Sequence, residues 1–106
     1  MLIKIETDNN IERNAALTAH IEATVNGALD RFGEKITRIS VHLSDQNSEK
    51  KFGTADMRCQ IEARLAGLQP VSVSDEAETI KQAVVGAVKK LQRSLGSTLG
   101  RLDSRQ

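Results

Sequence analysis

Few side chains in this sequence could do chemistry, and those that could do not converge. His20 and His42 lie in different segments, with no cysteine or carboxylate at ligand spacing. A zinc site needs three or four donors around one point, so both histidines are expected at the surface. Cys59 is the only cysteine and cannot form an intrachain disulfide. At an inward strand position with no base beside it, it reads as a small core residue rather than a nucleophile. Asp56 and Glu62 alternate with Arg58 and Arg64, and cross-strand charge pairing accounts for them without general acid–base work. Gly86, Gly96 and Gly100 fall inside or near the end of a helical pattern and make no phosphate-cradling loop. The residues therefore predict no enzyme, no metal and no cofactor.

Charge is the remaining chemistry. The chain is close to neutral, with a formal net charge of +1. Residues 81–106 nevertheless carry six basic side chains and one acidic, a net +5, and the preceding 80 residues carry −4. Such polarity suits a phosphate-rich partner at one end of the molecule. Lys89, Lys90, Arg93 and Arg101 are the candidate contacts, with Lys50 and Lys51 as outliers in a polar loop.

These cations must be positioned by the closing segment. Ile80, Val84, Val88, Leu91, Leu95, Leu99 and Leu102 recur in steps of three and four, which is one stripe of an amphipathic helix. Asp75 with Glu78 three residues on resembles a capping box and predicts the helix start. Gly86 falls near the centre of the polar face, where a small residue would let a partner approach closely. Gly96 and Gly100 read as fraying a weak helix end, since each costs roughly 1 kcal/mol relative to alanine.

Upstream, residues 2–6 alternate, with Ile3 and Ile5 on one face, and predict a short strand rather than a leader peptide. Asn14 is a candidate N-cap, with Asn9 and Glu12 a competing start. The stripe Leu17, Ile21, Val25, Ala28, Leu29 and Phe32 predicts a helix ended by Gly33 as its C-terminal cap. Residues 36–44 place Ile39, Val41 and Leu43 inward, and Arg38, Ser40, His42 and Ser44 outward. Residues 55–65 form the longest alternation, with Cys59, Ile61 and Ala63 inward. A turn over 66–70 leads to a brief strand at 71–73. No apolar run approaches the roughly 18 residues that span a bilayer, so no membrane partner is expected and a cytoplasmic location is the default.

The order strand, helix, three strands, helix implies an α+β domain, β-α-β-β-β-α, over residues 1–102 with a short tail at 103–106. A right-handed crossover joins two parallel strands and a meander completes a four-stranded mixed sheet. Each strand has one apolar side and each helix one stripe. Both helices therefore pack on one face and the other face is solvent-exposed. The aromatics are Phe32 and Phe52, and neither falls on the open face, so base stacking of the kind used by RNA-recognition sheets or single-strand binders is not expected. Backbone-directed contact by Lys and Arg is.

With that order assembled, the chain resembles the ribosome hibernation-promoting factor family, which includes ribosome-associated inhibitor A and the sigma-54 modulation proteins. The resemblance rests on IKIETDNNIERNAAL (3–17), ALDRFGEKITRISVHLS (28–44) and SDEAETIKQAVVGAVKKLQRSL (74–95). It implies the same fold, the short form without a C-terminal dimerisation domain, and binding in the decoding region of the small ribosomal subunit. Lys90 and Arg93 match the basic positions of the family's Lys-Leu-x-Arg-x-Leu pattern. Gly96, Ser97 and Thr98 stand where basic residues are usual, as do Thr24 and Gly27 on the first helix. The expected site is then Lys89, Lys90, Arg93 and Arg101, assisted by Arg31 and His20 on the facing helix edge. The expected partner is small-subunit ribosomal RNA, met by a monomer or weak dimer. The alternative is a protein-interaction module of the same fold that uses its open sheet face or an edge strand.

Overall fold

The computed structural model describes residues 1–8, 11, 14–45 and 56–104, the last four by backbone alone. Asn9, Glu12, Lys50, Lys51 and Phe52 lie outside the described residues. The elements are β1 (Leu2–Thr7), α1 (Ala15–Leu29), a 3-10 turn (Asp30–Phe32), β2 (Ile36–Asp45), β3 (Met57–Leu65), β4 (Val71–Ala77) and α2 (Ile80–Ser104). They form the expected α+β fold. The sheet order is β1-β2-β3-β4, with β1 parallel to β2 and the other pairs antiparallel.

The register explains the layers. The inward rows are Ile3–Ile39–Ala63–Val71 and Ile5–Val41–Ile61–Val73, and above them lie Ile21, Val25 and Leu29 of α1 with Val84, Leu91 and Leu95 of α2. One aliphatic core results, and each fully buried branched side chain in it contributes roughly 1.5–3 kcal/mol.

Four local readings change. The first is at the end of α1, which stops at Leu29 and tightens into the 3-10 turn. Gly33 donates its N–H to the Asp30 carbonyl at 3.0 Å with φ −55°, so it closes the turn in a right-handed conformation and not as a left-handed helix cap. Asn14 does cap the start, its Oδ1 accepting the Leu17 N–H at 2.8 Å. The second is in β2, where Ile36 is buried together with Ile39 despite the odd spacing. A bulge at Thr37 shifts the register, since Ile36 faces Leu65 while Arg38 faces Arg64. Thr37 Oγ1 donates to the Arg64 carbonyl at 3.1 Å across that irregularity.

The third is Ser44, expected outward on the open face. It shares a row with Arg58 and Glu76 but is only 9% exposed. Asp8 hydrogen-bonds the neighbouring backbone on one side, with its N–H to the Leu43 carbonyl and its Oδ2 to the Asp45 N–H, both at 3.1 Å. Arg58 adjoins Ser44 on the other side, so this end of the face is closed.

The fourth is the β4–α2 junction. Asp75 does not begin the helix. The ladder runs on through Cys59↔Asp75 and Met57↔Ala77, so β4 covers seven residues. The helix starts at Ile80, capped by a reciprocal pair: the Gln82 N–H donates to Thr79 Oγ1 at 3.1 Å and the Thr79 N–H donates to Gln82 Oε1 at 3.3 Å. The Thr-x-x-Gln signal follows directly on Glu78, four residues after Asp75.

Candidate nucleic-acid interface

α1 and α2 run side by side in the same direction. Leu17 lines one cavity with Ile80 and Lys81 at their N-terminal ends. Arg31 and Phe32 line another with Gly96, Leu99 and Gly100 further along. Between these, Gln92 Nε2 donates to the Ala28 carbonyl at 2.9 Å and ties the two helices together. The pair forms an outer layer whose α2 half holds no acidic residue before Asp103. α1 carries Glu22, and Asp30 opens the 3-10 turn that follows it.

The cations of α2 divide by direction. Lys89 and Arg93, one turn apart, are both exposed on the side away from the sheet. Lys90, about 100° further round the axis, reaches the other way. Its Nζ lies 3.0 Å from Asp75 Oδ1 and donates to the Ser74 carbonyl at 2.9 Å. The backbone of Arg101 continues the helix, and its side chain is outside the described residues.

In the 3-10 turn after α1, Arg31 is exposed with its guanidinium 4.6 Å from the centroid of the Phe32 ring. It borders a trough of about 330 Å³ with Lys35, Gly96 and Gly100. His20 is exposed on the same edge, eleven residues earlier and about 16 Å along the axis. The structure thus brings Arg31 to the C-terminal half of α2 and leaves His20 nearer its N-terminal half. Lys35, in the turn before β2, joins the trough without any periodic signal that could have marked it.

Gly86 also reads differently in three dimensions. It is half-buried, and a Cβ built on it would run into the Asp75 carboxylate of β4. The close approach it permits is therefore internal, between α2 and the sheet. Asp75 is a strand residue beneath the helix and not part of its first turn, so Gly86 faces it.

The remaining chemistry is unreactive. Cys59 is fully buried, and burial, aided by the Asp75 carboxylate, pushes its thiol up to about 12. Folded protein at pH 8 should not react with a soluble maleimide, whereas denaturant-unfolded protein should label fully, as read by intact mass. Because the raised value favours the neutral thiol in the fold, its contribution to stability holds below the unfolded thiol range and fades as pH climbs toward 12. Among the described residues no three His, Cys, Asp or Glu side chains come together to hold a metal.

The open sheet face is internally paired. Lys4 meets Glu6 at 3.1 Å and Arg64 meets Glu62 at 3.6 Å, both along one strand, and His42 crosses to Glu6 at 3.8 Å. The cross-strand pairing expected for Glu62 is instead a pairing within β3, with Arg64, and the cross-strand contact is that of His42 with Glu6. The Lys4 ammonium, hydrogen-bonded to Glu6, holds that carboxyl below its ordinary value.

Comparison with known proteins agrees with this architecture. Residues 3–103 match the model of the sigma 54 modulation protein / S30EA ribosomal protein family, and the chain belongs to that family. The N-terminal domain of Thermus thermophilus Protein Y superposes with a TM-score of 0.73 at 26% identity, over 92% of this chain and 99% of that one. A ribosomal subunit interface protein from Coxiella burnetii superposes with a TM-score of 0.69 at 14% identity, over 94% and 99% of the two chains, a likeness of fold. No curated relative matches in sequence comparison. The family is one of ribosome-associated factors rather than of enzymes. Among the described residues no helix is long and apolar enough to cross a membrane.

Proposed function

We propose that this chain is a non-enzymatic hibernation factor that occupies the small ribosomal subunit near its decoding region. Its helix layer would meet the ribosomal RNA backbone, and inhibition would be steric, with no bond made or broken. Lys89, Arg93 and Arg101 of α2 would make the principal phosphate contacts, with His20 of α1 and Arg31 of the turn after it beside them. The observation that carries the reading is the outward pair Lys89 and Arg93 on a helix without acidic residues before Asp103. Such contacts follow the backbone and helical shape of RNA rather than its sequence. A cytoplasmic location follows from this role.

Sedimentation tests it. The protein should co-migrate with small subunits through a sucrose gradient at low salt and leave them as salt is raised. Recovery only at the top of the gradient at low salt would refute the reading. The open sheet face serves as the internal control: Lys4→Ala/Glu62→Ala should co-sediment like the wild type, because Lys4 is already engaged by Glu6 and Glu62 by Arg64. Loss of association in that variant would favour a partner on the sheet.

A further inference from the structure

Two adjacent lysines on α2 face different chemistry. Lys89 points to solvent in line with Arg93, while Lys90 is drawn to β4. The Lys90 ammonium lies 3.0 Å from Asp75 Oδ1, with the two side chains 51% and 27% exposed, and it also donates to the Ser74 carbonyl at 2.9 Å. Asp75 occupies an inward position opposite Cys59. Directly above it is Gly86, the helix position at which a side chain would collide with the carboxylate. The acid is thus covered by bare helix backbone and met from the side by Lys90.

We propose, building on the ribosomal RNA reading above, that Asp75 is an internal substitute for a phosphate. It retains Lys90 on the sheet, so that α2 presents RNA with Lys89 and Arg93 and not with the third cation between them. The same contact adds to the buried stripe of α2 in setting its rotation over β4, which keeps the other two facing outward. Lys90 is on this account a positioning residue. Moving its ammonium to an RNA phosphate would exchange one anion for another and leave a largely covered carboxylate without its partner.

The salt dependence of binding counts the phosphates that a protein neutralises, so it separates the two lysines. The full chain, fluorescently labelled, is titrated onto purified small ribosomal subunits between about 50 and 200 mM KCl. Lys89→Met should lower the log–log slope by about 0.7–0.9, the value of one lost contact. Lys90→Met should leave the slope at the wild-type value and lower affinity only through the loosened helix. Asp75→Asn should free Lys90 and raise the slope by about 0.7–0.9. A Lys90→Met slope that falls as far as that of Lys89→Met, or an Asp75→Asn slope that does not rise, overturns the assignment while leaving the proposed function intact. Wild-type protein that fails to bind subunits at the lowest salt overturns the proposed function and this use of Lys90 together. The clasp itself has a readout that needs no ribosome. The thermal midpoints of Lys90→Met, Asp75→Asn and the double variant should be non-additive, and additive shifts would overturn the positioning role.

Discussion

Replacing Gly86 by valine is expected to lower the thermal midpoint by about 10–20 °C, followed by circular dichroism because the chain has no Trp or Tyr. The first added carbon already meets the Asp75 carboxylate, and the β-branch adds bulk that the tight helix–sheet contact has no room for. Overpacking of this kind costs about 1–3 kcal/mol. The displaced Asp75 also loses Lys90, although that half-exposed pair contributes only about 0–1 kcal/mol. Against this stands a gain of a few tenths of a kcal/mol, since valine is a slightly better helix former than glycine. The balance is strongly destabilising. Its cause can be isolated with alanine. Gly86→Ala should destabilise the wild type but stabilise an Asp75→Ala background by about 1 kcal/mol, because the helix-propensity gain then meets no obstacle. A valine variant as stable as the parent would mean that α2 does not rest on β4 through this glycine.

Reversing both outward cations, Lys89→Glu with Arg93→Glu, is expected to weaken association with small subunits by about 100-fold. Two charge-assisted hydrogen bonds at about 1.5 kcal/mol each amount to that factor, before any repulsion by the new carboxylates. The salt slope should become shallower by close to two contacts. Stability should barely move, since both side chains are exposed and changes at such surface positions usually stay within about 0.5 kcal/mol. Gradient sedimentation and thermal melts on the same preparation separate these two outcomes. Unaltered co-sedimentation of the reversed variant would remove α2 from the interface.

Much of this architecture is legible in the sequence because period-2 and period-3.6 patterns survive wherever one face is buried. The inward alternation of β3, the stripe of α1 and the aliphatic run of α2 all follow from that. The departures share one physical origin, which is that tertiary contacts supply partners invisible to a local reading. Asp75 looks like a helix cap because an acidic residue is costly under a sheet's roof, and Lys90, fifteen residues on, together with the acid's own partial exposure makes that inward position tolerable. Gly86 looks like a partner-facing gap for the same reason. The buried Ile36 depends on a bulge whose single extra residue, Thr37, inverts the parity of the strand. In the candidate interface, Lys89 and Arg93 could be placed from helical spacing alone. The direction of Lys90 and the approach of Arg31 to Gly96 could not, since both depend on how α2 lies against its neighbours.

The one parallel pairing in the sheet has a consequence for local opening. β1 sits at an edge and is held to β2 across a crossover that contains α1, so its contacts close a long loop. The meander β2-β3-β4 is instead built from neighbours in sequence, and α2 rests on its β3 and β4 strands. Segments with distant pairing and a free edge belong to the low-energy end of partial unfolding. When β1 peels away, Lys89 and Arg93 stay mounted on an intact support, because α2 rests on β3 and β4. In the proposed interface the α2 half therefore rests on the part of the sheet that opens last, an order set by how the chain is threaded.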